Sequence, residues 1–266
     1  MSSRQSELRN VACELRNLSL ESATRGAATD FLPVIRSHPP VTKANNTAEV
    51  VLHPLVSTAN AKPIGGGKKR LFDVVGAATI IVLAAPLFVV IGTAIKALSK
   101  GPIVYKQRRV GFRGRVFHCL KFRSMVIDAE KRLIEYLAEN PLAAEEWARD
   151  QKLRRDPRIT PIGRLLRKTS LDELPQLLNV LRGDMSLVGP RPVVEDELAR
   201  YGQHTVAYLS ARPGMTGLWQ VNGRNTTTYL RRTQLDAAYV EQWRLRHDVK
   251  IILKTIPEMV VSARAF

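Results

Sequence analysis

Cysteine and acidic residues are scarce in this chain of 266 residues, and both shortages narrow its function. The two cysteines, Cys13 and Cys119, lie in unlike contexts without metal-ligand spacing, so we expect a reducing compartment, no disulfide and no zinc site. There are 24 acidic residues against 41 lysines and arginines, which gives a formal net charge of +17. The expected partners are therefore anionic, and phosphorylated substrates, an anionic membrane surface and nucleic acid all meet that condition.

Common nucleotide-binding and repeat signatures are also missing. The sequence contains no Walker-type GxxxxGK, no GxGxxG after a strand, no Cys/His cluster and no internal repeat. P-loop, dinucleotide-binding, zinc-binding and solenoid classes are therefore not indicated. The polar N-terminus, MSSRQSELRN, has no apolar stretch behind it, so no secretory signal is expected.

The first quarter of the chain shows no pattern of a packed domain. Residues 1–64 mix serine, asparagine, threonine, alanine and proline with scattered charges, and their apolar residues keep no sustained period. We therefore predict a disordered N-terminal tail over residues 1–64. Gly65-Gly66-Gly67 follows as a flexible joint, and Lys68-Lys69-Arg70 is a basic collar before a different kind of segment.

A long apolar segment comes next. The run from Val74 to Ile95 has 22 residues without a charge and is rich in valine, isoleucine, leucine and alanine. About 20 apolar residues is the length of a membrane-spanning helix, so we predict a membrane-inserted helix within residues 65–100. Pro86 lies near its middle, where it removes a backbone hydrogen bond and predicts a bend.

The charges on either side of this segment indicate whether it crosses the membrane or returns to the same side. The basic collar precedes it, and five cations follow it: Lys96, Lys100, Lys106, Arg108 and Arg109. Both flanks thus carry the signature of the cytoplasmic side, which one plain span cannot satisfy. A re-entrant helix that breaks at Pro86 and returns to the same face satisfies both. A plain span with a tolerated proline is the alternative.

The candidate chemistry is concentrated between Ser170 and Pro192, in SLDELPQLLNVLRGDMSLVGPRP. Asp172 and Glu173 are adjacent carboxylates, and the rigid turn around Arg191 brings a cation after them. An aspartate can attack phosphorus as a covalent nucleophile, a neighbouring glutamate can hold a divalent cation, and guanidinium groups neutralise phosphate oxygens. More cations precede the pair: Arg164, Arg167 and Lys168.

A purely structural interpretation of this pair is open as well. Ser170 followed by Glu173 fits a capping box, and acidic residues in a first helical turn complement the helix dipole. Pro175 disfavours a cap at Ser170, because it would then be the fifth helical residue, where an N–H is needed. We therefore predict a helix that starts at Asp172, with the proline in its first turn.

Three further segments carry candidate features. Residues 101–125 alternate around two glycines, which predicts a β hairpin on which Lys121 and Arg123 share a face and reach an anion together, although a solvated sheet face is equally compatible. In the glycine-rich loop over residues 212–225, Trp219 is a core candidate and Arg224 a candidate nucleotide-binding residue. The amphipathic run VKIILKTIPEMVV fits a helix at a membrane interface, or one packed on the core.

Taken together, these motifs resemble the bacterial sugar transferases, monotopic polyprenyl-phosphate hexose-1-phosphate transferases that start polysaccharide assembly. The resemblance rests on KRLFDVVGAATIIVLAAPLF, LKFRSM, the SLDELPQLLNVLRGDMSLVGPRP block and RPGMTGLWQVNGRN, and it covers roughly residues 65–266. Within this family, the segments VVEDEL and KTIPEMV most resemble those of the galactose phosphotransferases that initiate exopolysaccharide synthesis.

The resemblance implies a substrate pair and a site. It implies an enzyme that takes a UDP-sugar and undecaprenyl phosphate and releases UMP by a ping-pong route with Mg²⁺. By the resemblance, Asp172 would form an aspartyl phosphosugar and Glu173 would help to hold the Mg²⁺. Five basic residues are matched to family positions around the phosphates or the nucleotide, or lie in the family's KFRSM strand: Arg167, Arg191, Lys121, Arg123 and Arg224.

We therefore predict a helix-rich α+β fold with a re-entrant helix-break-helix membrane anchor, a small β hairpin and amphipathic interfacial helices. The break would lie at Ala85-Pro86, where some relatives have Ser-Pro. Residues 101–266 would form the catalytic domain at the cytoplasmic face of the bacterial inner membrane, in contact with its lipid and without a nucleic-acid partner. Galactose is the favoured sugar, although no motif identifies it, and homodimerisation is left open.

Two other functions compete with this one. A membrane-anchored basic module that binds anionic lipid or nucleic acid would account for the charge, but it gives Asp172 and Glu173 no task. Hydrolysis of a lipid diphosphate would use the same residues and differ only in its products.

Overall fold

The computed structural model describes residues 62–150, 152–223 and 227–264. These residues divide into two compact units, one made of the described residues in 62–127 and 159–264 and the other of residues 128–158. Residues 1–61 of the predicted tail lie outside the described residues. Ile64, near the predicted end of that tail, already donates its backbone N–H to the carbonyl of Ser210 at 3.2 Å.

The described chain is rich in helices and has two small sheets, so the predicted helix-rich α+β class is confirmed. In chain order the elements are α1 (Gly66–Leu98), β1 (Val104–Val110), β2 (Val116–Phe122), α2 (Ala129–Glu139), α3 (Pro141–Asp150), α4 (Pro161–Thr169), α5 (Gln176–Arg182), β3 (Ser186–Val188), α6 (Glu195–Leu198), α7 (Thr205–Leu209), β4 (Gly214–Thr216), α8 (Tyr229–Glu241) and α9 (Leu245–Arg264). Three short 3₁₀ segments join them: Phe112–Gly114, Leu171–Glu173 and Ala199–His204.

Helix α1 is one continuous helix of 33 residues that contains Pro86. Among the described residues it is the one helix long and apolar enough to cross a membrane, and only 11% of its most apolar stretch is buried. The predicted long apolar helix is thus confirmed. The predicted break is not seen, because helical backbone continues through the proline, which removes a single hydrogen bond. The re-entrant path stays a prediction.

Both ends of α1 pack against the rest of the larger unit. Near its start, Lys69 Nζ lies 2.7 Å from Asp248 Oδ2 of α9. Near its end, Ile91 and Ile95 belong to a buried cluster with Phe122 of β2 and Leu166 of α4. Between the two ends most side chains are exposed, and Leu83 is 77% exposed. The exposed surface of α1 is therefore its apolar middle.

Strands β1 and β2 form the predicted antiparallel hairpin, with Val104 opposite Phe122 and Val110 opposite Val116. Its turn is a 3₁₀ segment in which Arg113 adopts a left-handed conformation with φ of 55°. Directly opposed residues of an antiparallel pair share one face. One face therefore carries three pairs: Tyr105 with Lys121, Gln107 with Cys119, and Arg109 with Phe117.

A second, parallel pair of strands fixes the turn that contains Arg191. Ser186 of β3 is opposite Gly214 of β4, and Gly214 N donates to the carbonyl of Pro190 at 2.8 Å. A Cβ atom on Gly189 would lie 2.5 Å from the carbonyl oxygen of Arg212, so a glycine is required by this close approach of two backbones. The sequence motifs did not predict this sheet.

Apolar side chains from α1, the hairpin, α5, β3, α8 and α9 form the main core of the larger unit. Its fully or nearly buried members are Ala77, Phe117, Cys119, Leu177, Val180, Met185, Leu187, Val188, Tyr239 and Ile251. Because α5 and β2 both contribute, the core sets the position of the chain segment that precedes α5, which contains Asp172 and Glu173.

The smaller unit consists of α2, α3 and the turn after them. The two helices are separated at Asn140 and Pro141, where the sequence predicts an interruption. In the turn, Arg158 Nη2 lies 2.6 Å from Asp156 Oδ2, and its guanidinium carbon lies 4.9 Å from the centre of the Trp147 ring. These contacts hold the end of the unit without involving the candidate site residues.

Candidate active site

Asp172 and Glu173 lie in the 3₁₀ turn Leu171–Glu173 between α4 and α5. Helix α4 ends at Thr169, and its C-cap residue Ser170 adopts a left-handed conformation with φ of 58°. A non-glycine residue in this region is uncommon and often marks a functional site. The prediction that a helix begins at Asp172 is wrong, because the backbone forms a 3₁₀ turn over Leu171–Glu173 and the α-helix begins only at Gln176.

The two carboxylates differ in their surroundings. Asp172 is 9% exposed, whereas the Glu173 side chain is 35% exposed. Lys121 Nζ of β2 lies 2.8 Å from Glu173 Oε1. The turn thus presents one buried carboxylate and one that is half open and already paired with a cation.

Burial raises the pKa of Asp172 from 3.8 to about 6. The positive charge of Lys121 lowers this pKa, the negative charge of Glu173 raises it, and the positive charge of Arg167 lowers it. A carboxylate with a pKa of about 6 is still mostly ionised at neutral pH but is more basic than an exposed aspartate. Both properties suit a nucleophile.

Arg167, on α4, is oriented by the segment that follows the hairpin. Its Nε donates to Ser124 Oγ at 2.8 Å, and its charge acts on Asp172. Helix α4 is tied to the same segment, because Thr160 N donates to the carbonyl of Ser124 at 3.1 Å. A Cβ atom on Gly163 would collide with that carbonyl, so the approach of α4 depends on this glycine.

Arg191 is held by contacts from two other elements. Its backbone N–H donates to Asp236 Oδ2 of α8 at 3.4 Å, and its guanidinium carbon lies 5.6 Å from the centre of the Trp219 ring. Trp219 is 5% exposed, so its predicted place in the core is confirmed. Arg109 Nη1 of β1 donates to the carbonyl of Pro192 at 3.0 Å. The predicted phosphate-binding turn is thus fixed on both sides.

Arg123 does not reach this site. It is 6% exposed, and its Nη2 donates to Ser99 O at 3.0 Å and to Ser99 Oγ at 2.6 Å, at the end of α1. Strand β2 ends at Phe122, so the alternation that would place Lys121 and Arg123 on one face stops between them. The expectation that both cations reach one anion is therefore corrected: Lys121 pairs with Glu173, and Arg123 attaches α1.

The remaining predicted residues fall elsewhere. Arg224 lies outside the described residues, and Pro86 lies inside α1. Within the described ranges there is no group of three or more histidine, cysteine, aspartate or glutamate side chains that could hold a metal ion. The adjacent carboxylates of Asp172 and Glu173 are the oxygen donors that the turn offers to a cation.

Two residues that the sequence motifs did not assign to the site help to position it. Asn179 of α5 is fully buried, and its side chain accepts from Leu120 N at 3.0 Å and donates to His118 O at 2.8 Å. It thereby fixes α5 against the strand that carries Lys121. Arg109 is the other. An asparagine within a helical pattern, or an arginine in a basic strand, gives no signal of burial before the fold is known.

Comparison with known proteins decides the family. The sequence model of the family described as bacterial sugar transferase matches residues 66–262. The chain belongs to the bacterial sugar transferase family. It is therefore an enzyme, a phosphoglycosyl transferase, and a non-enzymatic basic module is not supported.

Several relatives cover most of the matched region. The exopolysaccharide production protein ExoY of Rhizobium meliloti is 49% identical over 209 residues, which are 79% of this chain and 92% of that protein. The undecaprenyl-phosphate galactose phosphotransferase of Salmonella typhimurium is 52% identical over 187 residues, 70% of this chain and 39% of that protein. The UDP-glucose:undecaprenyl-phosphate glucose-1-phosphate transferase of Caulobacter vibrioides is 42% identical over 208 residues, 75% of this chain and 72% of that protein. This bacterial sugar transferase thus resembles relatives named for different sugars.

Proposed function

We propose that this bacterial sugar transferase moves hexose-1-phosphate from a UDP-sugar to undecaprenyl phosphate and releases UMP, as the first step of exopolysaccharide biosynthesis. The observation that carries the proposal is the buried Asp172, with a pKa of about 6, beside Glu173 and the cations Lys121 and Arg167. The substrates follow the names of three relatives. The Salmonella typhimurium and Caulobacter vibrioides proteins are named for undecaprenyl phosphate, the latter also for UDP-glucose, and the Erwinia amylovora protein is named a UDP-galactose-lipid carrier transferase.

The chemistry divides into two displacements at one phosphorus atom. In the first, a carboxylate oxygen of Asp172 bonds to the phosphorus that carries the sugar, the bond from that phosphorus to the bridging oxygen breaks, and UMP leaves with the electron pair. In the second, an oxygen of undecaprenyl phosphate bonds to the same phosphorus and the aspartyl oxygen leaves. The carboxylate is regenerated, and the product is the polyprenyl-diphospho-sugar. No group is oxidised or reduced in either step.

Each nearby side chain has a separate role. Asp172 is the better nucleophile of the pair, because Glu173 already forms an ion pair with Lys121. Lys121 and Arg167 keep Asp172 ionised by their charges, and their N–H groups face the negative oxygens of an incoming phosphate. A phosphoryl group that carries charge into this turn thus meets two cations.

The donor set fits Mg²⁺ as the resemblance implies. Mg²⁺ in proteins usually keeps several waters and binds one or two carboxylates together with substrate phosphates. Glu173, with a half-open side chain, would hold the ion beside Asp172. When bound, the ion would neutralise phosphate oxygens.

Membrane attachment on one side is supported by the packing of α1. Its start contacts α9, its end contacts β2 and α4, and its apolar middle is exposed. Helix α9 also exposes apolar side chains at helical spacing: Val249, Leu253 and Ile256. Because both ends of α1 pack on one unit, we infer a monotopic anchor at the cytoplasmic face of the inner membrane, where a UDP-sugar and a polyprenyl lipid can meet.

Galactose is the sugar we propose. The relatives from Salmonella typhimurium and Erwinia amylovora, each 52% identical, are named for galactose, whereas the 42% identical relative from Caulobacter vibrioides is named for glucose. The two sugars differ in the orientation of one hydroxyl group, so the choice depends on one or two polar contacts.

The test is UMP release by purified protein in nanodiscs with undecaprenyl phosphate and Mg²⁺. We expect release from UDP-galactose above UDP-glucose and UDP-N-acetylhexosamines, and loss of release in Asp172→Asn. Formation of a lipid-linked diphosphate sugar separates transfer from hydrolysis. Folded wild-type protein that releases no UMP from any donor would overturn the proposal.

The size of the nanodisc particle tests homodimerisation.

A further inference from the structure

Three arginines from separate elements surround the turn Pro190–Pro192. Arg191 belongs to the turn itself, Arg109 to β1 and Arg232 to α8. We call Arg109, Arg191 and Arg232 the arginine cluster. The resemblance drew attention to Arg191 alone, so the other two members have no role in the function proposed above.

One buried indole holds two members of the cluster together. The guanidinium carbons of Arg191 and Arg232 lie 5.6 Å and 4.7 Å from the centre of the Trp219 ring. The ring is 5% exposed and sits in the core, so it is a fixed platform for both cations. Its Nε1–H is buried without a hydrogen-bond partner among the described residues. A site with an unmet donor beside two cations is typical of a place where an anion binds.

The carboxylate beneath the cluster balances only part of its charge. Asp236 is 2% exposed, and its Oδ2 accepts from the Tyr201 hydroxyl at 2.9 Å and from Arg191 N at 3.4 Å. Burial raises the pKa of Asp236 to about 7, so near neutral pH this group carries less than a full negative charge. The charges of both Arg191 and Arg232 act on it, which places both guanidinium groups nearby.

Arg109 adds a third positive charge at short range. Its side chain is 12% exposed, and Glu197 Oε2 is 3.9 Å from its Nη1. Burial lowers the pKa of Arg109, and the neighbouring charge of Arg191 lowers it further. Two guanidinium groups that repel each other in a partly buried place are stabilised when an anion lies between or beside them.

The hairpin links the cluster to the turn that carries Asp172, because Arg109, Cys119 and Lys121 lie on one of its faces. Cys119 is two residues before Lys121 on one face of the hairpin, a separation of about 7 Å along the strand. Burial raises the pKa of the Cys119 thiol, and the charges that act on this thiol include those of Lys121, Glu173 and Arg191. The charges of Glu173 and Arg191 thus both act on one residue of the hairpin, which puts the cluster and the turn of Asp172 on the same part of the larger unit.

We propose that Arg232 and Arg191 together bind the phosphate that lies next to the attacked phosphorus, with Arg109 as the residue that positions their turn. This rests on the proposed function. In the first displacement the neighbouring phosphate is that of the leaving UMP, and in the second it is that of the entering undecaprenyl phosphate. Both occupy the side of the phosphorus opposite Asp172, so one phosphate subsite serves both half-reactions.

Arg232→Gln is the direct test, with Arg231→Gln as its matched control, because Arg231 is the preceding, exposed arginine of the same helix. Loss of a hydrogen bond to a charged group corresponds to about tenfold or more in affinity. We expect the KM values for UDP-sugar and for undecaprenyl phosphate both to rise about tenfold in Arg232→Gln. Both values should stay within about twofold of wild type in Arg231→Gln. A rise in only one KM, or in neither, would overturn the shared subsite.

Binding of UMP and of uridine separates this proposal from the function on which it rests. The two ligands differ by one phosphate, and their dissociation constants are measurable without turnover. Wild-type protein should prefer UMP, Arg232→Gln should lose most of that preference, and Arg232→Lys should recover part of it. An unchanged preference in a folded Arg232→Gln protein, or a preference in a folded Arg232→Lys protein no greater than in Arg232→Gln, would exclude Arg232 from the phosphate subsite. Absence of UMP release by wild type would instead count against the proposed transferase activity.

Discussion

Lys121 Nζ lies 2.8 Å from Glu173 Oε1, and this ion pair joins the hairpin to the turn that carries Asp172. Both side chains are about one third exposed, so the pair contributes little to the stability of the fold. Its effect is electrostatic. Lys121 opposes the rise that burial and Glu173 produce in the pKa of Asp172.

Removal of the lysine charge should shift the pH dependence of turnover. The pKa of Asp172 is about 6, so we expect wild-type kcat to fall as the pH drops through about 6 and the nucleophile becomes protonated. In Lys121→Gln the pKa of Asp172 should rise and the acidic limb should move to higher pH, whereas Lys121→Arg should keep the limb near its wild-type position. The measurement is a kcat against pH profile. An acidic limb that does not move in Lys121→Gln would contradict the electrostatic role.

Asp172→Asn should stabilise the fold while it removes activity. The folded-state pKa of about 6 lies above the ordinary 3.8, so the carboxylate contributes stability below about pH 4 that is lost as the pH rises through about 6. At pH 7.5 the neutral amide should therefore raise the free energy of unfolding by on the order of 1–3 kcal/mol. Thermal unfolding at pH 7.5 and at pH 4 tests this, because the gain should shrink at the lower pH.

Asp196→Asn is the control for that comparison, since Asp196 is an exposed acidic residue of α6. It should change the melting temperature little at either pH. A loss of stability in Asp172→Asn at pH 7.5 would show that the ionised carboxylate is held by contacts stronger than its burial cost.

Substitution of Arg123 should mainly lower the stability of the fold, whereas substitution of Arg167 should mainly lower kcat. Arg123→Gln removes the donor to Ser99 and should lower the free energy of unfolding by about 1–3 kcal/mol, with kcat of the folded protein within about twofold of wild type. Arg167→Gln should leave the melting temperature near that of wild type and lower kcat about 100-fold, because its charge acts on Asp172. Thermal unfolding and kcat, measured for both variants, test these two expectations. A loss of kcat in folded Arg123→Gln would return that arginine to the site.

The path of α1 can be tested by cysteine labelling from one side of the membrane. Lys68 lies in the first turn of α1 and Lys100 just after its end, and both are exposed. In a background with Cys13 and Cys119 replaced by alanine, Lys68→Cys and Lys100→Cys should both react only with a reagent that has access to the cytoplasmic side. Reaction of the two positions from opposite sides would establish a plain span.

Local patterns in the sequence predicted much of this architecture. The uncharged run predicted α1, and the alternation around two glycines predicted the hairpin with Lys121 on it. The carboxylate pair stood out because Asp172 and Glu173 lie among arginines. These features depend on residues that are neighbours in the chain, so they can be recognised without the fold.

The errors and omissions have tertiary causes. The helix predicted from Asp172 begins instead at Gln176, after a 3₁₀ turn that follows Ser170, and the positive φ of Ser170 is a conformation that serine rarely adopts and no motif predicts. Alternation predicts that Arg123 shares a face with Lys121, but the strand ends at Phe122 and Arg123 instead donates to Ser99. The roles of Arg109 and Asn179 come from burial between elements distant in sequence, which no local pattern encodes.

The central claim is that Asp172 forms a covalent bond to the sugar phosphate, and intact-protein mass spectrometry tests it most directly. Purified protein is incubated with UDP-galactose and Mg²⁺ without undecaprenyl phosphate, then denatured and weighed. We expect wild-type protein to gain the mass of one hexose phosphate, to lose it when undecaprenyl phosphate is added, and Asp172→Asn to gain nothing. An adduct of equal yield in Asp172→Asn, or turnover by wild type without any adduct, would contradict the account.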